Sequence, residues 1–155
     1  MIQLPDVAID FEQEQHLYTL RGFRVPSVTQ IMEPMSLMLY NGIPLDVLNE
    51  AADRGSRAHE QISNYVKYGV EEPDEDTEPY FKAFKDFEQA YKPTWVESEY
   101  RTYHKVLRYA GTIDLIGYIE PDDGTGVDVI DLKCTSVYHP VMLLSFLSRR
   151  GRGLK

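Results

Sequence analysis

A single cysteine, Cys134, is present in the chain, so no internal disulfide can form and neither a four-cysteine zinc site nor an iron–sulfur cluster can be built. Long apolar runs are missing too. "VMLL", near the C-terminus, is interrupted by Ser145 and is far too short to cross a bilayer. The opening "MIQLPDVAID" lacks the basic and apolar regions of a signal peptide, so a cytoplasmic protein with no membrane partner is expected. Basic residues are scarce: 16 Lys and Arg stand against 25 Asp and Glu, a net charge of −9. That balance works against a phosphate-rich partner, because phosphate binding runs on Lys and Arg. The deficit is local, however. "EEPDEDTEP" (71–79) holds six acidic residues and no basic one, and reads as a solvated loop; elsewhere nineteen acidic residues face sixteen basic ones, near −3.

What is present is ordinary globular material. Of 155 residues, 43% are hydrophobic, enough for one domain over 1–155 with a real core. "VAIDF" and "HLYTL" alternate and, with the turn glycine of "RGF", predict a small β unit over 1–25. "VPSVTQIM" predicts a helix entered at Pro26 or Ser27, with Ser27 or Thr29 as capping side chain, and Pro34 and "NGIP" (41–44) break the pattern. A second helix is expected from about Asp46 to Tyr68, kinked or divided near "DRGS", with Ala58, Ile62, Tyr65 and Val66 on one stripe. A third, "PYFKAFKDFEQAYK" (79–92), spaces Tyr80, Phe84, Phe87 and Tyr91 by four, three and four, so this aromatic stripe is expected to face the core rather than stack on bases. "TWVESEYRTYH" alternates as a strand. The order β-β-α-α-α-β-β-β suggests an α/β or α+β domain whose later strands form the central sheet.

The chemistry concentrates in "YAGTIDLIGYIEPDDGTGVDVIDLKCTS" (109–136), which sets Asp114 and Asp131 into two apolar runs. If the runs pair as a hairpin centred between Asp122 and Asp123, Leu115 faces Ile130, Thr112 faces Lys133 and Asp114 faces Asp131. Like charges in directly opposed positions destabilise a sheet. Crowded carboxylates share a proton, pair with a cation or hold a metal. Alternation puts Lys133 on the same face and Cys134 on the opposite one, in the core. Read from the residues alone, two accounts stand: a carboxylate site for Mg²⁺ or Mn²⁺, or strand-end salt bridges with Arg and Lys. Glu97, Glu99, Arg101 and Tyr103 share a face of the preceding strand, and Glu99 is the stronger candidate to join the site. His16, His104 and His139 lie at no metal-ligand spacing.

Together, "GTID…IDLK", "RGSRAHE" (54–60) and "VPSVTQIM" resemble the PD-(D/E)XK nucleases, in particular their RecB-like and phage-type exonuclease branch, over about residues 16–144. The resemblance implies an α/β fold with a central mixed β-sheet flanked by helices, a restriction-endonuclease-like core, and a small N-terminal β-hairpin. It implies a Mg²⁺- or Mn²⁺-dependent deoxyribonuclease of phage recombination or repair that leaves 5′-phosphates. Asp114 and Asp131 would be metal ligands with the Leu132 carbonyl, joined by His59 and Glu99. Lys133 would position the attacking water. DNA would be met by Arg54, Arg57, Lys105 and Arg108; a phage annealing protein or further copies of the chain would be possible partners. The chain departs from the branch in one respect. Relatives continue into a helix bearing Q-x-x-x-Y, whereas here no glutamine follows Gln89, no tyrosine follows Tyr138, and 141–155 end in the basic "SRRGRGLK". A truncated or frameshifted nuclease is therefore the expectation, with a non-cutting remnant that binds DNA or a recombination partner as the alternative, and an endonuclease or junction resolvase on the same core as a third.

Overall fold

In the computed structural model, which describes residues 8–12, 15–119 and 126–134, the N-terminal unit is a three-stranded antiparallel meander. Its strands are β1 (Ile9–Glu12), β2 (Leu17–Leu20) and β3 (Phe23–Val25). Arg21 (φ 51) and Gly22 (φ 79) link β2 to β3, and this pair of positive φ angles is the backbone of a primed hairpin turn. Ile9, Tyr18 and Val25 are buried with Ala110 of the second sheet, and the Tyr18 hydroxyl hydrogen-bonds Thr112 Oγ1 at 2.9 Å.

The helix entry follows the sequence closely. Ser27 caps α1 (Val28–Leu39) with a full capping box: its Oγ accepts from the Gln30 amide, and Gln30 Oε1 accepts from the Ser27 amide. Pro34 does not break this helix but lies inside it, and no residue of α1 is buried. The expected division of the second helix is also absent, because α2 (Leu45–Tyr68) runs unbroken through "DRGS" to Gly69, in the left-handed conformation at its end. α3 (Glu78–Tyr91) follows the acidic stretch.

The second sheet has the order β4-β5-β6, with β4 (Thr94–His104), β5 (Tyr109–Tyr118) and β6 (Asp128–Ile130). All of its described pairings are antiparallel, so the mixed sheet expected from the sequence is not found among them; the isolated bridge Ser27–Ala110 alone is parallel. The architecture is thus α/β, with two small antiparallel sheets and three helices among the described residues. Ile62, Phe81, Phe84 and Leu115 form the core between α2, α3 and the sheet, with Trp95, Ile130 and Leu132 packed against them. The expected α3 stripe needs shifting: Phe81 and Phe84 are buried while Tyr91 is exposed, because α3 meets α2 on its first two turns. A buried Ser63–Ser98 hydrogen bond of 2.8 Å ties α2 to β4. No described helix is long and apolar enough to cross a membrane. The readings placed on 135–155, the basic tail included, lie outside the described residues.

Candidate metal centre

Packing of α2 on the sheet sets one end of the centre. Ala58 and Ile62 are fully or almost fully buried, and His59, next to Ala58, is carried to the sheet with them. Leu115 inserts into the core and opposes Ser98; Ile113 opposes Tyr100. Between these pairs Glu99 stands level with Asp114. Glu99 has φ 53, a left-handed conformation costly for a residue with a side chain. The result is a group of three: His59, Glu99 and Asp114 each offer a ligand atom within 4.8 Å of the others.

Each member is held or strained electrostatically. His59 Nδ1 lies 3.4 Å from Asp114 Oδ1. The other oxygen of Asp114, Oδ2, accepts the Leu132 N–H at 2.7 Å, which fixes the carboxylate plane. Burial disfavours a charged imidazole at His59, but hydrogen bonds with Asp114 and Cys134, together with the attraction of both groups, override it and push His59 up to about 10. Burial raises the Glu99 carboxyl above its ordinary range, and the neighbouring Asp114 charge raises it further. Two carboxylates and a protonated imidazole in a half-buried group are the balance expected where a cation can replace the proton.

The donor set fits a divalent metal. Ligands at 2.0–2.2 Å from an ion stand roughly 3–3.4 Å apart, so side-chain adjustments of about 1 Å would close the group. One nitrogen and two carboxylates lie between the all-oxygen preference of Mg²⁺ and the nitrogen preference of later metals, and suit Mn²⁺ well.

The other expected residues fall in different places. The hairpin register is the one read from sequence, with Leu115 opposite Ile130, Ile116 opposite Val129 and Gly117 opposite Asp128. The ladder then stops. Asp131 is outside the group of three; its carboxylate is paired with Lys133 Nζ at 2.7 Å and is half exposed. Thr112 consequently has no ladder pairing with Lys133. Leu132 contributes its amide to Asp114 and packs its side chain on the core. Glu97 stands apart, after a bulge at Val96, with Oε1 accepting from the Ser98 amide.

Of the four cations expected on DNA, Arg57 is already committed. Its guanidinium pairs with Asp74, with Asp53 at 3.0 Å and with Asp76 at 3.3 Å, which raises its basicity further, the Asp74 hydrogen bond most of all. This clamp also corrects the reading of the acidic stretch as merely solvated. Asp74 Oδ1 accepts from the Asp76 and Thr77 amides, and Thr77 is fully buried beneath it. Arg54 is half-buried on α2, while Lys105 and Arg108 occupy the β4–β5 turn.

Sequence reasoning missed Cys134 as a neighbour of the site. Alternation sent it to the opposite face, but alternation holds only within a strand, and β6 has ended four residues earlier. Cys134 instead comes near His59, where it helps to raise the basicity of the imidazole, and lies beside Gly55. No local signal in the sequence places it there: a Cβ at Gly55 would meet Cys134 Cβ only at an ordinary 3.8 Å, so its approach does not require the glycine.

Compared with models of known protein families, with curated proteins and with solved structures, the chain matches none.

Proposed function

We propose that the chain is a metal-dependent DNA nuclease of the PD-(D/E)XK type, an exonuclease of phage recombination or repair. The observation that carries this reading is the convergence of His59 from α2 with Glu99 and Asp114 from the neighbouring strands β4 and β5 onto one group. The ordered appearance of "RGSRAHE", "GTID" and "IDLK" in the sequence supports it. The restriction-endonuclease-like core belongs to the same proposal.

His59, Glu99 and Asp114 would hold the Mg²⁺ or Mn²⁺. When bound, the ion would lower the pKa of a coordinated water and neutralise charge on a phosphate. The chain's own contributions are positional. The Leu132 amide fixes Asp114, and Asp114 fixes His59. Lys133, held by Asp131, would offer its ammonium to the phosphate and to the attacking water. Asp131 would thus act by orienting Lys133, and as a ligand only after giving that ion pair up.

Calorimetric titration of Mn²⁺ into the wild-type chain and Asp114→Ala, with digestion of a linear labelled duplex alongside, tests the reading. Binding lost in the variant, together with metal-dependent release of nucleotides, is the expected result. Binding without digestion would favour the non-cutting DNA-binding alternative. Absence of site-dependent binding would overturn the metal centre.

A further inference from the structure

Among the acid-free stretches of a chain with 25 Asp and Glu are Gln15 to Met32 and Tyr100 to Ile113. They hold five of the sixteen Lys and Arg, namely Arg21, Arg24, Arg101, Lys105 and Arg108, leaving eleven basic against twenty-five acidic residues elsewhere. Their meeting in space is shown by the backbone. Ser27 and Ala110 form a parallel bridge, and the Ala110 amide donates to the Pro26 carbonyl at 2.9 Å. Because the two segments run in the same direction there, the turn before β3 and the turn before β5 lie on the same side of the bridge. Phe23 and Val106 each lie four residues before the bridge.

Both tips expose apolar side chains between cations. Phe23 is 77% exposed in "RGFR", and Val106 and Leu107 are 81% and 65% exposed in "KVLR". Among the described residues, Arg21, Arg24, Lys105 and Arg108 form no ion pair with an acidic group. The turn chemistry is also contrary to preference. Arg21 at φ 51 occupies the first position of a primed turn, where Asn is favoured, and Arg108 at φ 54 closes the β4–β5 turn, where Gly or Asn is favoured. Arginines held at these conformational costs, with no ion pair among the described residues and beside bare apolar groups, are ill explained by folding alone.

We infer that the β2–β3 and β4–β5 tips together form a nucleic-acid-binding surface, gripping duplex phosphates through Arg21, Arg24, Lys105 and Arg108 and contacting bases or sugars through Phe23. Along β5, Asp114 lies four residues from Ala110 and six from Arg108, about 13–20 Å at the rise of a strand. That span corresponds to roughly four to six base pairs, so one duplex could reach both the tips and the metal centre. Of the four cations expected on DNA from the sequence, only the β4–β5 pair belongs to this surface. The choice of nucleic acid over another polyanion rests on the nuclease reading, and the charge segregation does not.

The test is fluorescence anisotropy of a labelled 20-base-pair duplex, titrated with full-length chain in EDTA across a NaCl series. Arg21→Asn with Arg108→Gly removes two cations while improving both turns, so folding should be intact or better. Each phosphate contact contributes about 0.9 to the slope of log K against log salt, so this variant should lose about 1.8 of slope and tenfold or more in affinity. Adding Arg24→Ala and Lys105→Ala should double the loss of slope, and Phe23→Ala should weaken binding with the slope unchanged. Arg57→Gln should leave both unchanged, since its charge is already neutralised. Unaltered slopes in the tip variants, no duplex binding by the wild type, or equal affinity for heparin with Phe23→Ala silent would overturn the inference. Failure of the nuclease reading is separately visible: wild-type chain that takes up no Mn²⁺ but binds duplex through the tips would lose the metal centre and keep the surface.

Discussion

His59 Nδ1 and Asp114 Oδ1 face each other at 3.4 Å, joining α2 to β5 across the centre of the molecule. With His59 pushed up to about 10, the apo centre carries a proton at neutral pH. A metal can take the imidazole only after that proton leaves, so apparent metal affinity should rise with pH, close to tenfold per unit, and level off near pH 10. Calorimetry in two buffers of different ionisation heat should show about one proton released per ion at pH 7.5. A pH-independent affinity would remove His59 from the ligand set.

Without metal, the sign for folding is opposite. A folded-state pKa above the ordinary 6.5 means the His59–Asp114 contact stabilises fully below about pH 6.5 and is lost as pH rises to about 10. Urea midpoints in EDTA should fall across that window for the wild type and stay flatter for His59→Gln.

Glu99 stands level with Asp114, and the two carboxylates repel. Its raised pKa means that the protonated form suits the apo fold, so stability is lost as pH rises through the Glu99 range. Glu99→Gln should therefore unfold at higher denaturant near pH 7, by roughly 0.2–1 kcal/mol, the scale of a like-charged pair across strands. The same variant should bind Mn²⁺ at least tenfold more weakly. A variant that is both less stable and metal-competent would show Glu99 to be structural.

Much of this arrangement is legible in the sequence because it rests on local rules. The Ser27 cap, one of the two the spacing offered, the α2 stripe and the hairpin register with Leu115 against Ile130 each follow from spacing. What fails is the extension of a rule past its element. Period-two reasoning placed Asp131 opposite Asp114 and Cys134 in the core, but β6 ends at Ile130, where Asp114 takes the Leu132 amide in place of a ladder bond. Arg57 read as a DNA cation because nothing local showed that Asp74 and Asp76, on a distant stretch, would return to it. The N-terminal tips were unreadable for a similar reason: the bridge joins Ser27 to Ala110, 83 residues further along the chain.

Metal choice follows from the donors. An imidazole beside two carboxylates should rank Mn²⁺ above Mg²⁺ by ten-fold or more, since affinity at nitrogen-containing sites rises along the first transition row and Mg²⁺ dehydrates reluctantly. Competition titrations should show Mg²⁺ displaced by Mn²⁺ at lower concentration, and His59→Asp should narrow the gap by making the set all-oxygen. An unchanged ratio in that variant would count against coordination by nitrogen.

Gly55 offers a test of what the helix needs near the site. Its place one turn before His59 suggests a requirement for a missing side chain, yet an added Cβ would meet only Cys134 Cβ, at 3.8 Å, an ordinary contact. Its φ is not in the left-handed region, so alanine carries no backbone strain there. In the middle of α2 the gain in helix propensity should dominate, and Gly55→Ala should stabilise the chain by roughly 0.5–1 kcal/mol, read as a higher denaturant midpoint with unchanged slope. Mn²⁺ affinity should be kept within about twofold. Loss of stability would mean that Cys134 approaches α2 more closely than 3.8 Å implies, and loss of metal binding with stability retained would mean that the Cys134–His59 contact sets the orientation of the imidazole.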